Sequence, residues 1–147
     1  MPILFYSHTI GPYVAFSNFS PHPFELDGAT WPTVEHCFQA AKFPGTDHAE
    51  AICLAKSPRE AKRLGRSRAH PIRPNWDDVR DDVMRRAVRR KFETHADIRE
   101  LLLSTGDEEL VEDAPRDYYW CRGARGTGKN RLGVILMGVR AALRAGV

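Results

Sequence analysis

The first 32 residues carry three short apolar or aromatic runs: Ile3-Leu4-Phe5-Tyr6, residues 13–19, and Phe24-Glu25-Leu26. Asp27-Gly28 separates the third run from Ala29-Thr30-Trp31. An apolar–polar–apolar pattern around Asp-Gly predicts a tight hairpin, and the region reads as a small sheet.

From Thr33 the period changes to that of a helix. Val34, Cys37, Phe38 and Ala41 follow the i, i+3, i+4, i+7 spacing of a buried stripe. Thr33 is placed to cap that helix, and Pro44 and Gly45 close it. A second helix is expected over 47–55. Ser57-Pro58-Arg59-Glu60 has the form of a capping box, with proline at the first helical position, and opens a short helix that ends near Gly65. After Pro71 and Pro74 a longer helix is predicted over 77–94, with Val79, Val83, Met84, Ala87 and Val88 inward. Another covers 97–104 and stops at Gly106. Residues 109–113 suit a short strand. The last helix follows Asn130 and buries Leu132, Ile135, Leu136, Val139 and Leu143. No domain boundary is visible, so the expectation is one helix-rich α+β domain over 1–147 with a small N-terminal sheet.

Length and composition agree with that picture. A chain of 147 residues suits one domain, and its ordinary apolar fraction and plentiful charge exclude global disorder. The net charge of +3 leans toward anionic ligands without the signature of a nucleic-acid-binding tail. Cys37, Cys53 and Cys121 are odd in number and far apart, which argues against a disulfide framework and fits a reducing compartment. No Cys/His cluster has metal-ligand spacing, so no metal or cofactor is expected. The N-terminus lacks the pattern of a signal peptide, and no apolar stretch reaches membrane-spanning length. A cytoplasmic protein with no membrane association is expected.

Chemistry concentrates on the first helix. Glu35, Gln39 and Lys42 are spaced i, i+4, i+7, so they share a face other than the apolar stripe. Acid, amide and amine on one face suit a cleft. Glu35 lies in the first turn, where the helix dipole favours an ionised carboxylate. The blander reading is a glutamate that completes a helix terminus.

Gly123-Ala124-Arg125-Gly126-Thr127-Gly128-Lys129-Asn130 nearly spells a nucleotide-binding P-loop. Asn130 stands where magnesium would need a hydroxyl, and no later strand supplies an acidic partner, so an NTPase is rejected. What survives is a glycine-rich turn before a helix, whose N–H groups suit phosphate, against a plain turn with Asn130 as N-cap. Trp76 and Trp120 suit stacking on a base or sugar, or simple core packing. Arg85, Arg86, Arg89, Arg90 and Lys91 read as a solvated helix face, with Asp81–Arg85 and Asp82–Arg86 as i, i+4 pairs; a nucleic-acid contact is the minority reading.

Phe16-Ser17-Asn18-Phe19-Ser20-Pro21 and the run from Gly28 through Pro32-Thr33-Val34-Glu35-His36 to Gln39-Ala40-Ala41-Lys42 resemble the signature of the NADAR (YbiA-like) family. So do Ala61-Lys62-Arg63-Leu64-Gly65-Arg66, Trp76 with Lys91-Phe92, Leu103-Ser104-Thr105-Gly106, and the block from Asp117 through Trp120 to Gly133. The resemblance covers nearly the whole chain, in order. It implies a YbiA-like fold and an N-glycosidase acting on ribose C1–N bonds. The substrates would be phosphoribosylamino-pyrimidine intermediates of riboflavin synthesis, or guanine bases carrying ADP-ribose, free or in nucleic acid.

By the same resemblance Glu35, Lys42 and Asp117 are catalytic, with Lys42 attacking ribose C1. Asn18, Trp76 and Trp120 match the family's substrate-contacting positions; beside them Phe19 and Gln39 are expected to contact substrate, and Gly123, Gly126, Gly128 and Asn130 to form the phosphate-holding loop read above. Relatives usually carry glycine after the second tryptophan, where Cys121 stands here. Glu35 or Asp117 would stabilise the oxocarbenium-like state, and the other carboxyl or a water would protonate the leaving nitrogen. Lys42 needs a lowered pKa, which Glu35 opposes. The alternative is a non-catalytic module that binds ADP-ribose or a nucleotide.

Overall fold

The computed structural model describes all 147 residues. The chain forms two compact units, residues 21–94 and residues 1–20 with 95–147.

The first of these opens on the predicted hairpin. β2 (Phe24–Leu26) pairs antiparallel with β3 (Ala29–Trp31), with Leu26 opposite Ala29. Asp27 and Gly28 both take positive φ, 52° and 81°, as a type I′ turn requires. α1 (Val34–Ala40) starts at Thr33, whose hydroxyl accepts from the His36 N–H. α2 (Asp47–Cys53) is capped by Thr46 in the same way. α3 (Pro58–Gly65) is capped by Ser57, which accepts from the Glu60 N–H. The return half of the expected capping box is absent, because the Glu60 carboxylate forks onto Arg63. α4 (Trp76–Thr94) buries Met84, Ala87 and Val88. α1 packs against α2, α3 and α4, around a core that includes Ala40, Phe43, Ile52 and Ala61.

The basic face of α4 is paired, though not as expected. Arg85 joins Asp82, and Arg86 reaches Asp27 in the hairpin turn at 2.8 Å. Arg90 donates to the Glu25 carbonyl at 2.9 Å. These arginines clasp β2 and its turn to the helix. Lys91 departs from the solvated reading altogether: it is 1% exposed, with its ammonium 5.2 Å from the Phe92 ring centroid.

The other unit holds β1 (Ile3–Phe5), a 3₁₀ turn at Pro12–Phe16, α5 (Ala96–Ser104), β4 (Leu110–Glu112) and α6 (Arg131–Ala145). β1 pairs in parallel with β4, Ile3 opposite Leu110. This corrects the expectation of one N-terminal sheet. The early strands divide between two sheets, because β1 finds its partner a hundred residues downstream, beyond the reach of local patterning. The run at 13–19 is turn rather than strand, with Pro12 fixing its first φ. Phe5 and Phe16 meet edge to face at 5.8 Å, and Leu132, Ile135, Leu136 and Val139 of α6 complete the core. No helix is long and apolar enough to cross a membrane.

Asn130 joins two elements. It sits in the left-handed region at φ 50° and makes no side-chain cap. Its amide instead donates to the Leu110 carbonyl at 2.9 Å and accepts from the Glu112 N–H at 3.0 Å, fixing the start of α6 to the edge of β4. Asn130→Ala should lower stability by about 2–4 kcal/mol, since it orphans a buried carbonyl and loses a side chain suited to the left-handed region. Urea unfolding monitored by circular dichroism checks this, and a loss within 0.5 kcal/mol (about the error of a surface substitution) would contradict it.

Candidate active site

α1 is buried on every face, from Val34 to Ala40. Sequence patterning predicts one apolar stripe and one polar face open to a cleft. The polar face is instead roofed by α3, so Glu35 is 7% exposed and Gln39 4%. Gly65 makes that approach possible. A β-carbon there would fall inside the Gln39 side chain, so the end of α3 lies directly on Gln39. The Gly65 carbonyl also accepts from the Lys42 ammonium at 3.4 Å.

The three expected residues are therefore brought together. The Gln39 amide donates to Glu35 Oε2 at 3.3 Å, while Gln39 Oε1 is buried with no partner. Lys42 Nζ lies 5.8 Å from the Phe38 ring centroid, and Phe38 packs on Trp76 at 5.1 Å. The His36 ring is bonded elsewhere. It is fixed between the Thr33 hydroxyl, 2.8 Å from Nδ1, and the Ala55 carbonyl, 3.0 Å from Nε2, and burial lowers its pKa.

Electrostatics reverse one expectation. Burial raises the Glu35 pKa above the ordinary carboxylate value of 4.5, and the Gln39 hydrogen bond and the charges of Lys62, Lys42 and Arg66 only partly offset it. The first-turn dipole argument for a strongly ionised Glu35 fails because desolvation outweighs a terminus effect of a few tenths to one kcal/mol. Lys42 moves the opposite way. Burial lowers its pKa, Glu35 opposes this, and Arg66 and Lys62 reinforce it. The acid and the amine are each displaced toward the neutral form.

In the unit of residues 1–20 and 95–147, Asn18 and Phe19 are half-buried, just after the 3₁₀ turn, and the Phe19 N–H donates to Ser17 Oγ. Asp117 accepts the Tyr119 and Trp120 N–H groups on one oxygen, both at 2.8 Å, which fixes the backbone of Trp120. The N–H groups of the glycine loop donate largely to backbone carbonyls of residues 115–123. The Gly126 N–H donates to Gly123, Gly128 to Arg122, Lys129 to Tyr118, Asn130 to Cys121 and Leu132 to Trp120. Gly128 is required by close approach, since a β-carbon there would meet the Cys121 and Arg122 backbone. Gly126, Gly128 and Asn130 still border a cavity of about 200 Å³. The Cys121 thiol is buried and donates to Glu112 Oε1 at 2.8 Å, and burial raises its pKa.

A model of the NADAR domain matches residues 4–144. The chain belongs to the NADAR family. N-glycosidase YbiA of Escherichia coli is 50% identical over 141 residues, covering 96% of this chain and 88% of that protein. The NMR structure of E. coli YbiA superposes with a TM-score of 0.89 at 45% identity, over 99% of this chain and 88% of that one. The chloroplastic riboflavin biosynthesis protein PYRR of Zea mays is 44% identical over 144 residues, covering 88% of this chain and 23% of the maize protein. The α+β architecture expected from the sequence is that of YbiA.

Sequence patterning missed the cavity beside Lys42. It has a volume of about 560 Å³ and is bordered by Lys42, Gly65, Arg66, Ser67, Arg68 and His70. One signal was present: residues 61–76 hold five lysines and arginines and no acid.

The raised Glu35 pKa carries a stability consequence. The folded state holds the proton more tightly than the unfolded state, so stability falls as pH rises from 4.5 through the folded pKa. Glu35→Gln should match the parent near pH 4 and exceed it at pH 8, with a higher Tm. Urea unfolding at both pH values measures this. A variant less stable than the parent at pH 8 would contradict it.

Proposed function

We propose that this chain is an N-glycosidase that cleaves the bond between ribose C1 and nitrogen in phosphate-bearing substrates. The observation that carries the reading is the buried Glu35–Gln39 pair with the half-buried Lys42 beside it, in a chain half identical to a protein named N-glycosidase. A carboxyl and an amine both biased toward neutrality are a proton donor and a nucleophile. A non-catalytic binding module has no use for that pair, whose burial opposes folding.

Neutral Lys42 attacks ribose C1 as the C1–N bond breaks. Glu35 delivers its proton to the departing nitrogen, so the base leaves neutral and Glu35 is left as carboxylate. That carboxylate then faces the positive charge on the sugar–lysine adduct, which it stabilises in a site shielded from water. The adduct loses a proton and opens to the imine. Water adds to the imine carbon, and proton return through Glu35 expels the amine and frees the sugar. Gln39 holds the carboxyl in place through both halves of the cycle. Asn18, Phe19, Trp76, Asp117 and Trp120 are proposed as substrate contacts, Asp117 by holding the Trp120 backbone. The substrate is a phosphoribosylamino-pyrimidine or an ADP-ribosylated guanine. The name of the maize relative favours the first.

Incubation with both substrates and detection of the released base by mass spectrometry tests the reading. Glu35→Gln should lose at least about a hundredfold in kcat. Borohydride added during turnover should attach the sugar to Lys42 in the parent and leave Lys42→Arg unmodified. Parent-like turnover by Glu35→Gln would remove Glu35 from the chemistry. Binding of ADP-ribose without hydrolysis of either substrate would favour the binding module.

A further inference from the structure

We propose that the cavity bordered by Lys42, Arg66, Ser67, Arg68 and His70 is the subsite for the phosphate on the substrate's ribose. The inference rests on the reading of Lys42 as the group that meets ribose C1. It moves the phosphate away from the glycine loop, where the chain's nearest sequence motif would put it.

Three observations converge on the cavity. The first is charge. Between Glu60 and Asp77 the chain carries Lys62, Arg63, Arg66, Arg68 and Arg73 with no acid among them. Arg63 is held by Glu60, and Arg85, Arg86, Arg122 and Arg144 each have a carboxylate partner. Arg66 and Arg68 have none, and both border the cavity. The negative end of α3 accounts for basic residues in its last turn, Lys62 and Arg63. That attraction fades within one turn, so it does not account for Arg68.

The second observation is a fixed frame. The segment after α3 is held along its length. The Ser67 N–H donates to Leu64, Ser67 Oγ accepts from the Ala69 N–H, and the Arg73 N–H returns to the Lys42 carbonyl at 2.9 Å. His70 stacks face to face on His48 at 3.7 Å, and the His48 ring is set by the Leu64 carbonyl and the edge of Phe43. A loop anchored at both ends and in the middle holds its cations with little ordering left for a ligand to impose.

The third is the neighbour. Arg66 and Lys62 lie close enough to act on both Glu35 and Lys42. Lys42 borders the same cavity, so a phosphate held by the guanidiniums places the attached sugar against the amine. Two guanidiniums, a serine hydroxyl and an imidazole match a phosphate monoester in charge and donor count. The glycine loop offers less, because most of its N–H groups already donate to backbone carbonyls, chiefly of the segment before it.

NMR titration of the full chain with ribose 5-phosphate, with unphosphorylated ribose and inorganic phosphate alongside, tests the subsite. Ribose 5-phosphate should perturb the amides of residues 65–70 and bind more tightly than ribose. Arg66→Ala/Arg68→Ala, at exposed positions that leave the core intact, should weaken ribose 5-phosphate by about tenfold or more while ribose is unaffected. Perturbation confined to residues 122–130, with unchanged affinity in the double variant, would overturn the subsite. The two proposals fail separately. Binding at 65–70 without hydrolysis of any ribosyl substrate leaves the subsite and removes the glycosidase. Hydrolysis with parent-like KM in the double variant leaves the glycosidase and removes the subsite.

Discussion

Desolvation of Glu35 is the constraint on which the chemistry depends. α1 carries a buried acid and a buried amide one turn apart, the end of α3 lies on the amide, and the Lys42 amine stands in the turn that follows α1. Removal of a carboxylate from water costs several kcal/mol unless it is neutralised or paired. Here one amide hydrogen bond and several cations at a distance offset part of that cost. The remainder appears as a raised pKa on the acid, and the same exclusion of water lowers that of the amine. Gly65 sets the degree of closure, because its missing side chain lets α3 lie on Gln39.

Much of the architecture was legible in the sequence because its signals are local. Thr33, Thr46 and Ser57 cap helices where small hydroxyl residues precede an apolar period, and Asp27-Gly28 turns the hairpin. What was not legible depends on distant partners. β1 pairs with β4 across the whole chain, and Arg86 chooses the hairpin turn over the acid one helical turn away. Lys91 is buried despite standing in a basic run, which no local count of charge foretells.

The candidate site divides along the same line. Glu35 and Gln39 share a face of α1 and Lys42 stands in the turn just past its end, so their grouping followed from spacing. Their protonation did not, because it depends on what α3 covers. The glycine loop's composition suits phosphate, but the use of its N–H groups was not legible: Gly128, Lys129 and Asn130 donate to the backbone carbonyls of Arg122, Tyr118 and Cys121. The cavity beyond α3 has no named motif, and only the folded chain brings Lys42, Arg66, Arg68 and His70 together around it.

The most direct test is the protonation of the pair itself in the resting protein. Carbon-detected NMR, with labelled Glu35 carboxyl and Lys42 Cε, follows both groups through pH titration. The account predicts that Glu35 titrates above the ordinary carboxylate value of 4.5 and Lys42 below the ordinary amine value of 10.5. A Glu35 that titrates at or below 4.5, beside a Lys42 at its ordinary value, would contradict it.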